Sequence, residues 1–172
     1  MLKDGMVQKG FTLIDLLIVT ALLAVLIVGI IAMINPLEQM RKGDDIKRKT
    51  AINQLYKATQ SYYTTHADYI NPPSNHWITD LVNAYEIQSA PAIVNYRGST
   101  QICTVWPQNG YCYNTINNEA IIYTKLESII EKDKCLNPNS NPYFLWSSVN
   151  SANGLICLED DPTDPGFYAL VQ

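Results

Sequence analysis

The 19 residues from Leu16 to Ile34 carry no charge, and this run constrains the chain more than any other feature. As a helix it is about 28 Å long, close to the roughly 30 Å hydrocarbon core of a bilayer. The chain after Lys42 is mixed and mostly polar, so the 47% hydrophobic content is unevenly distributed. In a chain of 172 residues, this distribution predicts one membrane helix and one soluble domain.

The start of the apolar run has two unusual features. Asp15 adds a carboxylate there, although a lone charge in lipid costs roughly 2.5–3.5 kcal/mol on insertion scales. From this residue alone, the simplest interpretation is a side chain that reaches the headgroups near the helix end. The second feature is that INPLEQ follows the run, where a secretory signal would have a small-residue cleavage site. The sequence therefore predicts that the apolar segment is retained.

The junction KG-FTLID, from Lys9 to Asp15, resembles the class III processing site of type IV pilins and pseudopilins. The resemblance implies that a prepilin peptidase cuts after Gly10 and that the new amino group of Phe11 is methylated. Residues 1–10 are then a leader, and residues 11–35 form a transmembrane and assembly helix. The family usually has Glu where this chain has Asp15, which keeps the charge on a shorter side chain.

The resemblance also implies a role for Asp15 and a set of partners. In a helical filament, the carboxylate of one subunit meets the N-terminal amine of its neighbour, and the pair sets the register. The expected partners are copies of the chain, related pilins, the prepilin peptidase, an inner-membrane assembly platform and the membrane. The precursor is expected to cross the membrane once with its head outside, and the filament to be extracellular or periplasmic.

Pro36 marks a helix boundary, because it removes a backbone donor and suits the first position of a new helix. Residues 36–66 are predicted to be an amphipathic helix with an apolar stripe that includes Ala51 and Leu55. Gly43 is a second predicted weak point in this helix. The basic run from Arg41 to Lys49 is interpreted mainly as a solvated helix face and interfacial anchor, in preference to a lipid or nucleic-acid site.

Residues 67–172 are predicted to form an extracytoplasmic head with a short helix near Trp77–Glu86 and several strands. A long N-terminal helix, half transmembrane and half amphipathic, packed on an antiparallel sheet is an α+β fold, and it resembles the pilin architecture. The segment PQNG is predicted to be a turn. The predicted strands are residues 92–96, 101–106, 111–116, 119–128, 141–148, 154–159 and 167–172.

Four cysteines lie in the predicted head, and their spacing does not fit a zinc site. Two disulfides are expected, which points to an oxidising compartment. Three pairings are possible. We favour the pairing that closes the two short loops, Cys103 with Cys112 and Cys135 with Cys157.

The sequence predicts neither an enzyme nor a cofactor. It contains two histidines, and it lacks the motifs of hydrolases, phosphate-binding loops and Cys–His nucleophiles. One loop has oxygen ligands suited to calcium, and some pseudopilins bind calcium near the C-terminus, but a solvated acidic turn is the preferred interpretation. The residues of that loop are Glu159, Asp160, Asp161 and Asp164.

Three functions remain open at this stage, and nucleic-acid binding is not expected from a net charge of −4. The preferred one is a structural subunit of a type IV pilus-like filament. The first alternative is a pseudopilin of a type II secretion system, although two disulfides favour a pilus-type subunit. The second alternative is a membrane-anchored binding protein that never polymerises.

Overall fold

The computed structural model describes residues 11–33, 35–71, 73–97 and 103–171, with residues 31–33 described by their backbone alone. These residues form four helices and one five-stranded sheet, so the α+β class is confirmed. The helices are α1 (Leu13–Met33), α2 (Pro36–His66), α3 (Trp77–Asn83) and α4 (Ile129–Lys132). The strands are β1 (Pro107–Gln108), β2 (Tyr111–Ile116), β3 (Glu119–Lys125), β4 (Asn141–Ser147) and β5 (Ala152–Leu158).

The chain divides into two compact units, residues 1–37 and residues 38–172. In the first unit, α1 is apolar on all sides, and every side chain from Phe11 to Ile30 is exposed. The predicted helix boundary is confirmed, because α1 ends at Met33 and α2 begins at Pro36. Gly10 lies outside the described residues.

In the second unit, the sheet is an antiparallel meander in which β1 to β5 lie side by side in chain order. The β1–β2 turn uses Asn109 and Gly110, both with positive φ, as expected for a two-residue hairpin. A side chain at Gly110 would also come within 2.8 Å of Val94, so both the turn and the packing require glycine. The turn predicted at PQNG is confirmed.

Both faces of the sheet are covered, which explains why β3 is buried along almost its whole length. Ala120 and Ile122 point to the face that α2 and α3 cover, where the predicted stripe of Ala51 and Leu55 is fully packed. Ile121 points to the opposite face, which irregular segments cover. The second face contains Cys103, Cys112, Tyr123, Tyr143, Leu145 and Ile156.

Three strand predictions are wrong in the described residues. Residues 92–96 are extended but unpaired, apart from a bond from the Val94 amide to the Asn109 carbonyl, because β1 offers them only two residues. Cys103 to Trp106 are irregular, since Cys103 is tied to β2 and Trp106 has a positive φ; Gln101 and Ile102 lie outside the description. Residues 167–171 make only one bridge, between Val171 and Leu155.

α2 runs through Gly43 without a break, so the weak point predicted there does not interrupt the helix. The interpretation of Arg41 to Lys49 as a mainly solvated face needs correction for the same part of the helix. Asp45 and Arg48 are fully buried there. Their partners, described below, lie far away in the sequence.

Candidate functional site

The first turn of α1 contains a reciprocal pair of hydrogen bonds between Thr12 and Asp15. Thr12 precedes the helix, and its hydroxyl oxygen accepts a bond from the Asp15 amide at 3.3 Å. Asp15 Oδ2 in turn accepts bonds from the Thr12 amide at 3.1 Å and from the Thr12 hydroxyl at 2.7 Å. This arrangement is a capping box, which satisfies two amides that lack helical partners.

The capping box gives Asp15 a local role that the sequence analysis did not consider. The sequence contains a signal for this role, because Thr12 and Asp15 have the spacing of a capping motif directly before an apolar run. A carboxylate in a first helical turn is also stabilised by the positive end of the helix dipole. Asp15 therefore has one structural reason for its position that does not require a second molecule.

The rest of α1 presents apolar side chains in every direction. Its least exposed large apolar side chain between Leu13 and Ile30 is Val19, which is still 46% exposed. This segment of 18 residues has a mean hydropathy of 2.9 and is the one helix in the described ranges that is long and apolar enough to cross a membrane. A signal sequence can meet the same criterion. The finding is consistent with a single-pass membrane protein.

The second unit, residues 38–172, is called the head from here on. Its most unusual polar site surrounds Arg48, whose side chain is completely buried. Its Nη1 donates to Asp45 Oδ1 at 2.6 Å, and its Nη2 donates to Glu127 Oε2 at 2.7 Å. The guanidinium also lies over the ring of Tyr96, 4.3 Å from its centroid. Burial alone lowers the pKa of Arg48, but the bond to Glu127 and the charge of Asp45 outweigh it and raise this pKa.

The carboxylates of α2 bind backbone amides as well as Arg48. Asp45 accepts bonds from the amides of Glu127, at 3.0 and 3.1 Å, and of Ser128, at 2.8 Å. Glu38 accepts a bond from the next amide, that of Ile129, at 2.7 Å. Three successive amides at the start of α4 are thus satisfied by side chains from α2, and amides at a helix N-terminus favour negative charge.

A second ion pair lies beside this group. Lys49 Nζ is 2.6 Å from Glu131 Oε1, and Lys134 Nζ is 3.0 Å from Glu131 Oε2. Burial raises the pKa of Glu131, but the two ammonium groups outweigh it and lower this pKa below its usual value. Sequence reasoning missed the whole cluster, because its halves are separated by 79 to 91 residues.

The structure contains two disulfides, Cys103–Cys112 and Cys135–Cys157, which is the pairing that the sequence analysis favours. The first joins the irregular segment before β1 to β2. The second joins the connection between β3 and β4 (residues 126–140) to β5. Each disulfide therefore fixes an irregular segment to the sheet.

The four acidic residues considered for calcium do not converge. Asp161 accepts bonds from the Tyr143 hydroxyl at 2.8 Å and from the Thr104 amide at 3.2 Å. Glu159 instead accepts a bond from the Asn137 side chain at 2.8 Å. Within residues 11–33, 35–71, 73–97 and 103–171, no three His, Cys, Asp or Glu side chains are placed to hold a metal ion.

A groove of about 690 Å³ lies between α2 and the extended segment that begins at Pro91. Its rim includes two exposed apolar side chains, Ile46 and Ile93, which are 65% and 70% exposed. The Asp44 carboxylate in the lining is paired with Lys47 at 3.2 Å. The lining of the groove therefore combines apolar side chains with one carboxylate and two cations, Lys47 and Arg97.

No family model matches the chain, and comparisons with curated proteins and with solved structures also find no significant match. Its described features are an apolar N-terminal helix, an antiparallel sheet and two disulfides, and these are compatible with a pilin-like fold.

Proposed function

We propose that this chain is a structural subunit of a type IV pilus-like filament. The observation that carries the proposal is α1, an apolar helix exposed on all sides that begins two residues after a KG-F junction. Such a helix requires lipid before assembly, and a bundle of equivalent helices afterwards is a way to cover it. The mechanism is assembly, with no reaction catalysed by the chain.

Processing is proposed to occur between Gly10 and Phe11, followed by methylation of the Phe11 amine. The new amine then lies four residues before Asp15, in the same apolar surroundings. Two such charges that are costly alone become tolerable as a pair. We assign Asp15 to the amine of a neighbouring subunit, in addition to its bond with Thr12.

Intact mass and N-terminal sequencing of the chain, expressed with an active prepilin peptidase, test the processing step. A mature chain that starts at methylated Phe11 supports the proposal. A chain that starts at Met1, with the peptidase active on a control substrate, contradicts it and favours an anchored binding protein. A chain cut after α1 also contradicts it, because α1 is then a removable signal.

Two variants separate the capping role of Asp15 from its proposed role between subunits. Asp15→Ala removes both roles, whereas Thr12→Val removes the capping hydroxyl and leaves the carboxylate. We expect both variants to be processed, and we expect only Asp15→Ala to lose filaments in electron micrographs of sheared cells. If both variants lose filaments equally, the capping box explains Asp15 and the intersubunit pair is excluded.

Assembly partners distinguish a pilus subunit from a secretion pseudopilin. Two disulfides favour the pilus subunit, which is expected to form surface filaments without a type II secretion system. Loss of secreted enzymes after deletion of the gene, with surface filaments unchanged, would assign the chain to the secretion system instead.

A further inference from the structure

The first part of α2 within the head unit is attached to the rest of the head without apolar burial. We call residues 38–50 the arm. Its buried side chains are Glu38, Asp45 and Arg48, all of which are charged. Its larger apolar side chains, Met40 and Ile46, are 53% and 65% exposed.

The attachment of the helix changes at the end of the arm. Starting with Ala51 and Ile52, the buried residues of α2 are mainly apolar and belong to the core that packs on the sheet. Apolar burial contributes roughly 25 cal/mol per Å² and does not depend on direction, whereas hydrogen bonds require a specific geometry. The boundary between Thr50 and Ala51 thus separates two parts of one helix with different sources of stability.

Apart from the contact of Arg48 with Tyr96, the buried contacts of the arm are concentrated on one short segment. Glu127, Ser128 and Ile129 provide the amides that Asp45 and Glu38 bind, and Glu127 also provides the carboxylate that binds Arg48. These groups satisfy one another, so the loss of one leaves another buried and unpaired. The contacts are therefore expected to break together.

The arm is also a weak helix by its own composition. Gly43, Asp44 and Asp45 are consecutive, and glycine and aspartate are poor residues for a helix interior. Gly43 has no neighbour within 4 Å of where its side chain would lie, so packing does not require glycine there. The helical state of the arm consequently depends on its contacts with the rest of the head, which are those with residues 127–131 and with Tyr96 and Arg97.

We propose that the arm is a releasable tether, which opens as one unit while the core of the head remains folded. Its 13 residues span about 20 Å as a helix and up to about 43 Å when extended. Opening therefore lengthens the chain between α1 and the head core by as much as about 23 Å. The tether belongs to the fold itself and does not depend on filament assembly.

Hydrogen exchange of the full chain in detergent micelles, followed by mass spectrometry, tests the proposal. Peptides from residues 38–50 are expected to exchange at least about tenfold faster than peptides from residues 51–66, after correction for intrinsic rates. The hydrogen-exchange rate of the arm is also expected to change little when low concentrations of urea are added. A local opening exposes little surface, and the urea dependence follows the surface exposed.

Asp45→Asn is the variant that weakens the attachment, and Asp44→Asn is its matched control. Asp44 is the adjacent residue, and its carboxylate, which is 31% exposed, pairs with Lys47 at 3.2 Å and with Arg97 at 3.6 Å. Such partly exposed ion pairs contribute little to stability. We expect Asp45→Asn to speed exchange in the arm about tenfold or more, with residues 51–66 and β3 unchanged. The same peptides of Asp44→Asn are expected to match the wild type.

Two results would overturn the proposal. One is equal protection of residues 38–50 and 51–66 in the wild-type chain, with the same urea dependence, since the helix then opens as a whole. The other is an Asp45→Asn variant in which both halves exchange faster together. The wild-type comparison remains decisive if Asp45→Asn does not fold.

Discussion

The Arg48 guanidinium is surrounded by two carboxylates and one aromatic ring instead of water. Buried ion pairs of this kind add little net stability, but removing one partner leaves the remaining charges buried and uncompensated. The cost of such a removal is roughly 3–5 kcal/mol. Arg48 is thus a residue whose substitution affects the head far more than its surface neighbours do.

Arg48→Met is expected to lower the free energy of unfolding by about 3–5 kcal/mol, because Asp45 and Glu127 lose their shared cation. Urea denaturation followed by tryptophan fluorescence measures the change, since Trp77 and Trp146 are buried in the head. Lys47→Met is the control. The Lys47 side chain is 78% exposed and is expected to matter by less than about 0.5 kcal/mol.

A loss of less than about 1 kcal/mol in Arg48→Met would contradict this account. It would mean that the carboxylates find water or other partners once the guanidinium is gone. The arm would then be attached mainly through the backbone amides that Asp45 and Glu38 bind.

Glu131 gives the head a pH dependence whose sign follows from its lowered pKa. The carboxyl group is charged more readily in the folded head than in the unfolded chain, where its usual pKa is 4.5. Its contribution to stability is therefore fully present above the unfolded pKa and is lost as the pH falls through the folded pKa.

Glu131→Gln is expected to flatten the rise of stability with pH below about 4.5, where the charged carboxylate binds Lys49. Urea midpoints measured at a series of pH values from about 3 to 6 give the slope. Asp133→Asn is the matched control, because Asp133 is exposed in the same connection. Equal slopes in the wild type and Glu131→Gln would contradict the assignment.

Among the elements, α2 and β2 have the bounds that the sequence predicted, and β4 differs by one residue, whereas the strand predicted at residues 119–128 overruns β3 by three residues. The apolar stripe of α2 and the alternation of β3 indicated both elements close to their observed bounds. The segment from Ala92 to Tyr96 has the composition of a strand, but a strand also needs a partner of matching length. Its neighbour β1 has only two residues, and no local pattern reveals that.

The polar cluster around Arg48 could not be predicted for a different reason. Asp45 and Arg48 are three residues apart on a helix, a spacing that usually belongs to a solvated pair. Their burial depends on Glu127, which is 79 residues from Arg48 along the chain. Sequence patterns within one helix contain no information about such a partner.

The two disulfides stabilise segments that have no regular secondary structure, so their removal tests how far the sheet depends on them. The Cys135–Cys157 bond closes a separation of 22 residues and Cys103–Cys112 closes one of 9. Loop-closure entropy predicts losses of about 3.4 and about 2.6 kcal/mol for the serine pairs. Thermal unfolding of the Cys135→Ser/Cys157→Ser and Cys103→Ser/Cys112→Ser variants measures both.

The relative size of the two stability losses tests the loop-closure explanation, which predicts the larger loss for the Cys135–Cys157 pair. A larger loss for the Cys103–Cys112 pair would show that packing against β2, and not the length of the closed loop, sets the contribution of that disulfide. Unfolding of the fully reduced wild type provides the reference for both variants.

At the scale of the whole molecule, the chain combines two units with different requirements. The buried apolar core of the described head is formed by residues between Ala51 and Ile156. The head therefore contains its own core, and α1 depends on an apolar environment outside it.

A chain that begins at Glu38 is expected to be soluble without detergent and to unfold in one transition, within a few degrees of the head of the full chain in micelles. Circular dichroism during heating measures both transitions. Aggregation of the shortened chain, or an uncooperative transition, would show that the head requires residues 1–37.

The order of the strands has a consequence for how the head folds. Because β1 to β5 pair with their neighbours in the chain, the sheet can form by successive hairpins. Three of these hairpins close loops of two to four residues, and the β3–β4 hairpin closes one of 15 residues. The contacts of the arm instead join residues separated by 79 to 91 positions, and they need the finished β3–β4 connection. In refolding, we expect the sheet to form first and the start of α2 to dock last, so the residues closest to the membrane segment are the final part of the head to become native.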